Sequence, residues 1–394
     1  MSVAAELEAA LGDAEPEVRR LAVRRLVEAA AEGPALLVRA LADSDWRVRK
    51  EAAQTAARLP ARADLVARLY AALADRERVG LRNAAVEALA SLGPDVVAPG
   101  VLALDRLDAD GRKLVVEVLA VVPDPRGVVA LASVLRDPDP NVRAAAAEAL
   151  AQATESEDDM AVVTPCLLDA LADRDAGTRL AALRSLAALG VDVELERLAP
   201  HVADPLTRRA ALAALGASSS PGALSLLAQS MGDAPLADAG AAAIALAAAV
   251  VGALDAGAKV DGYAAELARR PRIHERLRGF AASEDAELRG AALLLLALGR
   301  NPDDVQLIVD ALGDDEVAER AELALQLFGD EVVSPLVSAA MSAPPEVRST
   351  SLSMLPHTDV AADPEALSGL RAAARDPSSD VACAALRSLA HVGT

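Results

Sequence analysis

The stretch that decides the fold is Asp137–Leu150, which reads DPDPNVRAAAAEAL. Altered copies of this segment recur along the chain at a spacing of about 30 residues. The clearest of them are DAEPEVRRLAVRRL from Asp13, DSDWRVRKEAAQTA from Asp43, DRDAGTRLAALRSL from Asp173 and DPSSDVACAALRSL from Asp376. This self-similarity is typical of a repeat array, in which each unit buries its apolar side against its neighbours.

Each copy has the pattern of a helix start followed by one apolar stripe. The Asp ends a preceding amphipathic helix, and a Pro or an acidic residue stands where the next helix begins, a position that tolerates a missing N–H and favours negative charge. Val18, Ala22 and Leu26 show the stripe, since residues four apart lie on one side of a helix. The chain is therefore predicted to consist of helix pairs, with each copy marking the second helix.

This pattern resembles HEAT repeats, in particular the bacterial group similar to phycobilisome-lyase HEAT repeats. The resemblance covers nearly the whole chain. It implies an all-α protein, a right-handed α-solenoid of about twelve HEAT-type helix pairs. We expect a single solenoid over residues 1–394, with an irregular repeat and an inserted helix at 233–285.

The resemblance also implies a ladder in which turn aspartates pair with the arginine that follows the Val position. The matching arginines are Arg19, Arg49, Arg82, Arg112, Arg143, Arg179, Arg208, Arg289, Arg320 and Arg348. The candidate acids are Asp13, Asp43, Asp75, Asp108, Asp137, Asp173 and Asp204. Because such pairs recur with every repeat, we expect a structural role for them, whereas a catalytic site would occur once.

Composition and charge narrow the classes of partner and the compartment. Hydrophobic residues make up 53% of the chain but aromatic residues only 1%, and the dominant Ala and Leu are strong helix formers. The net charge of −20 disfavours nucleic acid and anionic lipid, which bind through Lys and Arg. Cys166 and Cys383 lie far apart, and the N-terminus lacks a signal-peptide pattern, so we expect a cytoplasmic protein. The Arg- and Ala-rich composition suggests a bacterial source.

The longest apolar stretch is predicted to be a buried helix rather than a membrane span. Residues 239–254 are mostly Ala and fall short of the roughly 20 apolar residues that cross a bilayer. The repeat spacing stretches just after this segment, around 256–270. There we predict a longer second helix, a turn containing Gly257 and Gly262, and an additional short helix.

A cationic segment follows the stretched repeat. The candidate residues for binding an anion or an acidic partner are Arg269, Arg270, Arg272, Arg276 and Arg278, with His274 among them. Arginine binds oxyanions through a two-pronged fork. The alternative is that these arginines neutralise carboxylates of the same chain.

A second departure concerns the side of each second helix that faces away from the stripe, which lines the concave surface in HEAT solenoids. Five residues after the ladder Arg this side is polar in the early repeats and apolar from Ala213 to Leu325. Leu294 and Leu325, with Ala213, are therefore predicted to bind a partner helix or peptide, unless the inserted helix or a dimer partner covers them. Trp46, at the start of a second helix, is a further candidate anchor, with half-buried packing as the alternative.

No catalytic or cofactor motif emerges from the sequence. Zinc-ligand spacing and nucleotide-binding loops are both absent from it, so we expect no metal, no cofactor and no enzymatic activity. The function expected is that of a scaffold or adaptor that binds a protein, in bacterial signalling or assembly. Two alternatives remain: a phycobilisome-lyase-like enzyme or chromophore chaperone, and a structural homo-oligomer.

Overall fold

The computed structural model describes residues 2–60, 62–328, 332–355 and 364–392. Helices are the only regular secondary structure in these ranges, so the prediction of an all-α solenoid is confirmed. Two compact units divide the chain, Met1–Leu189 and Gly190–Thr394.

The first unit consists of six helix pairs, each with an odd-numbered first helix and an even-numbered second helix. These are α1 (Val3–Ala10), α2 (Pro16–Arg24), α3 (Gly33–Leu41), α4 (Trp46–Ala56), α5 (Arg62–Ala72), α6 (Val79–Ser91), α7 (Val97–Leu104), α8 (Ala109–Val121), α9 (Pro125–Val134), α10 (Pro140–Ala153), α11 (Glu157–Ala170) and α12 (Ala176–Ala188). Short 3-10 segments occupy Leu26–Glu32 and Gly93–Val96. Every second helix of this unit packs against the next second helix, so their stripes share one core.

The second unit has six pairs and one further helix. In chain order these are α13 (Leu195–Ala203), α14 (Arg208–Leu215), α15 (Pro221–Asp233), α16 (Leu236–Asp255), α17 (Asp261–Ala268), α18 (Pro271–Phe280), α19 (Ala286–Leu298), α20 (Pro302–Asp310), α21 (Ala318–Phe328), α22 (Val333–Ser342), α23 (Pro345–Met354), α24 (Pro364–Ala373) and α25 (Ser379–Val392). A 3-10 turn lies at Ala311–Gly313. The described residues thus hold twelve helix pairs, as the sequence predicts; the handedness of the solenoid stays a prediction.

Helix α10 shows how the repeat encodes its own local structure. Val142, Ala146 and Leu150 are fully buried, as the predicted stripe requires. Asp139 precedes the helix, and its carboxylate accepts hydrogen bonds from two backbone amides of the first turn. Such a cap satisfies donors that a helix start leaves without partners.

The stretched repeat contains a 20-residue second helix, α16, with ten buried residues. Among the described residues it is the one helix long and apolar enough to cross a membrane, a test that buried core helices also pass. Its burial agrees with the prediction of a buried helix. Gly257 follows it with a φ of 68°, and α17 comes next. Gly262, predicted to lie in the turn, instead lies within α17.

Candidate functional site

Ladder arginines clamp their own turn and the aspartate of the following repeat. Nε and Nη2 of Arg143 donate to the two carboxylate oxygens of Asp173, both at 2.8 Å. Nη1 of Arg143 donates to the backbone carbonyls of Asp137 and Pro138. Arg19 and Arg112 bind their aspartates in the same two-pronged way at 2.7–2.8 Å: the partners are Asp43 and Asp137.

The arginines keep these aspartates ionised. The hydrogen bond from Arg143 lowers the pKa of Asp173, against the opposing effect of burial. Burial is the largest single effect and favours a higher pKa for Asp43 and Asp137. The hydrogen bonds from Arg19 and Arg112, together with a backbone hydrogen bond and the arginine charges, outweigh it, so both pKa values are lowered. The pairs are two-pronged and shielded from solvent, and they link successive repeats, which is the geometry of a structural clamp.

At two positions the sequence predicts a ladder aspartate, but the aspartate does not bind the ladder arginine. Asp75 and Asp108, predicted as ladder acids, bind Arg78 and Arg76 instead. Asp43 and Asp137 stand six residues before the next ladder arginine, but Arg76 stands six residues before Arg82. The turns that lead into α6 and α8 are built differently, so this part of the prediction is wrong.

The prediction placed the ladder two residues too far along α21. Val317, Ala321 and Leu325 are 0–2% exposed and form the buried stripe. The amide of Ala318 donates to the carbonyl of Asp314 across a shortened turn. Ala318 therefore holds the ladder position, and Arg320 does not. The spacing of Val317, Ala321 and Leu325 is visible in the sequence. It indicates the ladder position more reliably than the nearest arginine does.

The predicted partner site at Leu294 and Leu325 is wrong, because both side chains are fully buried. Leu325 belongs to the stripe just described. Leu294 does lie opposite its stripe, but α16, α17, α18 and α21 all pack against α19 and leave Gly290–Leu298 buried. Ala213 is exposed, as expected for this face.

The cationic segment is largely engaged by its own chain. Arg269 and Arg270 lie 2.5 and 3.5 Å from the carboxylate of Glu266. Arg276 donates to the carbonyls of Met231 and Ala234, while Arg278 and His274 contact the fully buried Asp304. Arg272 is exposed, with no hydrogen bond or ion pair to any described residue. These contacts favour neutralisation within the chain over a preformed anion site.

Several of the most exposed large apolar side chains lie where second helices begin. In the first unit, Trp46 and Val79 are 62% and 60% exposed, and we call them the apolar edge. Each stands two residues before a buried stripe residue, Val48 and Leu81, so they occupy equivalent positions on the packed helices α4 and α6. The second unit has Leu206 and Leu236 at similar places, 71% and 69% exposed. Of these residues the sequence analysis names only Trp46. Val79 carries the same signal, an apolar residue three positions before the ladder arginine, where the Asp137 copy has Pro140.

Comparison with known sequences agrees with the repeat. The family of HEAT repeats matches residues 4–90 and 98–187, which lie in the first unit. No curated protein matches the chain.

Solved structures of karyopherins are similar over nearly the whole chain. Kap121p bound to the extreme C-terminus of the protein phosphatase Cdc14p is 15% identical with a TM-score of 0.45, covering 98% of this chain and 48% of that one. Kap121p bound to Pho4p is 14% identical with a TM-score of 0.44, covering 100% and 49%. A chain from a complex of Kap95p with RanGDP is 13% identical with a TM-score of 0.49, covering 99% and 60%. The chain thus spans about half the length of the Kap121p structures.

Proposed function

We propose that this α-solenoid is a non-catalytic scaffold that binds a protein partner on its second-helix face. The observation that carries the proposal is the apolar edge, where Trp46 and Val79 stand exposed on consecutive repeats. Exposed aromatic and aliphatic side chains in neighbouring positions mark protein interfaces, and Trp is a frequent anchor there. The edge replaces the buried Leu294 and Leu325 as the proposed contact.

The other features of the chain support a binding rather than a catalytic role. Its shielded ion pairs repeat along the solenoid, and they serve to join one repeat to the next. The charge of −20 favours a protein over a nucleic acid as the partner. Cys166 and Cys383 are free thiols, and we place the protein in a reducing cytoplasm.

Affinity capture with a matched control tests the proposal. The test variant is Trp46→Ser/Val79→Ser, and the control is Leu102→Ser, which removes an equally exposed side chain from the first helix α7. Each protein, shown to be folded by circular dichroism, is cross-linked in lysate and its bound proteins are quantified.

We expect a stoichiometric protein with the wild type and the control, and its loss with the double variant. Equal recovery by all three proteins would exclude the apolar edge as the contact. Light scattering separates a third outcome. An oligomeric wild type and a monomeric double variant would show that the edge serves self-association.

A further inference from the structure

Two arginines next to the apolar edge lack the carboxylate that their counterparts bind. Arg49 donates through Nη1 to the carbonyls of Asp43 and Ser44, the same two turn contacts that Arg143 makes. No carboxylate of the described chain pairs with Arg49 or Arg82. Nε of Arg82 is buried and has no hydrogen-bond partner. We call Arg49 and Arg82 the ladder gap.

The acids that might fill the gap are engaged elsewhere. Asp75 accepts from Nε of Arg78 and from two amides of its own turn. Asp108 accepts from the amide of Gly111 at the start of α8 and pairs with Arg76. Both carboxylates have lowered pKa values, caused chiefly by the hydrogen bond from Arg78 and by the bond from the Gly111 amide. Asp108 also lies near Arg82, whose charge adds to the lowering of its pKa, but its oxygens bind Arg76 and the Gly111 amide. Neither acid is therefore paired with the ladder gap in this structure.

The ladder gap and the apolar edge are contiguous. Trp46 and Arg49 are three residues apart on α4, and Val79 and Arg82 are three apart on α6, a spacing that places side chains side by side. The guanidinium of Arg49 also reaches α6, since a Cβ added at Gly80 would lie 3.1 Å from its Nε. One surface thus combines two exposed apolar groups with two arginines that lack acids.

We propose that this surface docks a protein segment carrying an Asp or Glu beside an aliphatic side chain. The carboxylate of this segment pairs with Arg49 and Arg82, as that of Asp173 pairs with Arg143. Its aliphatic group packs on Trp46 and Val79. This inference rests on the proposed function and specifies the chemistry of its partner. Charge complementarity selects this occupant, because two neighbouring guanidinium groups without a paired carboxylate favour an acidic side chain, which arginine binds through two hydrogen bonds.

The single tryptophan of the chain makes the site directly observable, because Trp46 is that residue. A random dodecapeptide display library is selected on the wild-type protein. The enriched peptides are synthesised and titrated while Trp46 fluorescence is followed. We expect peptides with an acidic residue next to an aliphatic one, a shift in the Trp46 emission, and weaker binding in higher salt.

Charge-neutral variants test the ladder gap itself. Arg82→Gln keeps every hydrogen bond that the structure shows for the wild type, so it should fold, and Arg49→Gln/Arg82→Gln removes both guanidinium groups. We expect the double variant to weaken peptide binding about tenfold or more, and an Asp→Asn change in the peptide to do the same. Arg184→Gln, on the exposed side of α12, is the matched charge control and should leave binding unchanged.

Three results would overturn the proposal: enriched peptides without acidic residues, no enriched peptide that shifts Trp46 emission, or equal binding by wild type and Arg82→Gln. If the double variant does not fold, Arg82→Gln and the Asn peptide decide the question. The proposed function fails separately. The distinguishing result is a cellular partner that is lost with Trp46→Ser/Val79→Ser and retained with Arg49→Gln/Arg82→Gln. That result would support the proposed scaffold function and contradict the proposal that the partner's carboxylate binds the ladder gap.

Discussion

Helices α10 and α19 occupy the same place in their repeats but differ on the side opposite the stripe. In α10 that side is exposed and carries Glu148. In α19 it carries Leu294 and is buried, because helices of the stretched repeat and of the following pair pack around it. Leu294 lies on a face that other repeats expose to solvent. Here its apolar character reflects burial in a local core, so this face of α19 is not a docking surface.

The two helices also differ in their ladder contacts. Arg143 binds Asp173 through two nitrogens, and both side chains are about 15% exposed. Arg289 reaches Asp314 and Glu316 through Nη2 alone, its Nε is buried without a hydrogen bond, and the two acids are 41% and 69% exposed. The clamp is tighter in α10 than in α19.

The largest expected effect comes from placing a charge on the two contrasting faces. Leu294→Arg buries an uncompensated guanidinium and should destabilise the fold by about 4 kcal/mol or more. Glu148→Arg, at the equivalent exposed position, should change stability by no more than about 0.5 kcal/mol. Urea unfolding followed by circular dichroism measures both. Similar values for the two variants would contradict the burial of α19.

A smaller loss of stability is expected when the arginine of either ladder clamp, in α10 or in α19, is replaced. Arg143→Gln removes a shielded two-pronged pair and should cost about 1–3 kcal/mol. Arg289→Gln loses the same kind of turn contacts but a more exposed pair, so it should cost about 1 kcal/mol less. The measurement is the difference between the two unfolding free energies. If Arg289→Gln costs more, the two clamps rank in the opposite order.

The tighter clamp should also show in the pH dependence of stability. The pKa of Asp173 is lowered in the folded state by Arg143, whereas an unfolded Asp titrates near about 3.9. Its contribution is therefore complete above about pH 4 and is lost as pH falls through the lower folded value. Wild type should exceed Asp173→Asn in stability by a constant amount between pH 5 and 7, and by less near pH 3. A gap that stays constant down to pH 3 would mean that Arg143 does not hold the carboxylate.

The smallest effect tests where the ladder runs after α19. Arg320 is exposed and lies outside the ladder, so Arg320→Gln should change the unfolding free energy by no more than about 0.5 kcal/mol. A loss comparable with that of Arg143→Gln would restore Arg320 to the ladder.

Much of the fold was predictable because it depends on local pattern. The stripe of Val142, Ala146 and Leu150 follows from residue spacing along one helix, and the repetition of that stripe implies helix pairs. The stripe of α21 was predictable too, from the spacing of Val317, Ala321 and Leu325, but Arg320 lies two residues away from the ladder position and led to a wrong assignment. For Leu294 the sequence left two alternatives, a partner site or cover by the inserted helix. Only the packing of α16, α17, α18 and α21 against α19 decides for cover within the chain.

The candidate site divides in the same way. The apolar residues at the helix starts, Trp46 and Val79, are visible in the sequence, and so is Arg76 in place of the acid expected six residues before Arg82. The sequence does not show which arginines stay without a carboxylate. Asp75 and Asp108 stand near the expected positions in the sequence, and only the folded turns show that Arg78 and Arg76 bind them. When a carboxylate has several arginines near it in the sequence, only the distances in the folded structure show which arginine it binds.

By itself, the sequence determined that this protein is a helical repeat array, since periodic burial is a property of each short segment. The tertiary structure decided which helix faces stay exposed to solvent and which ladder arginines have no paired carboxylate. Those outcomes depend on neighbouring helices and on the geometry of turns, where one or two residues more or less redirect a side chain.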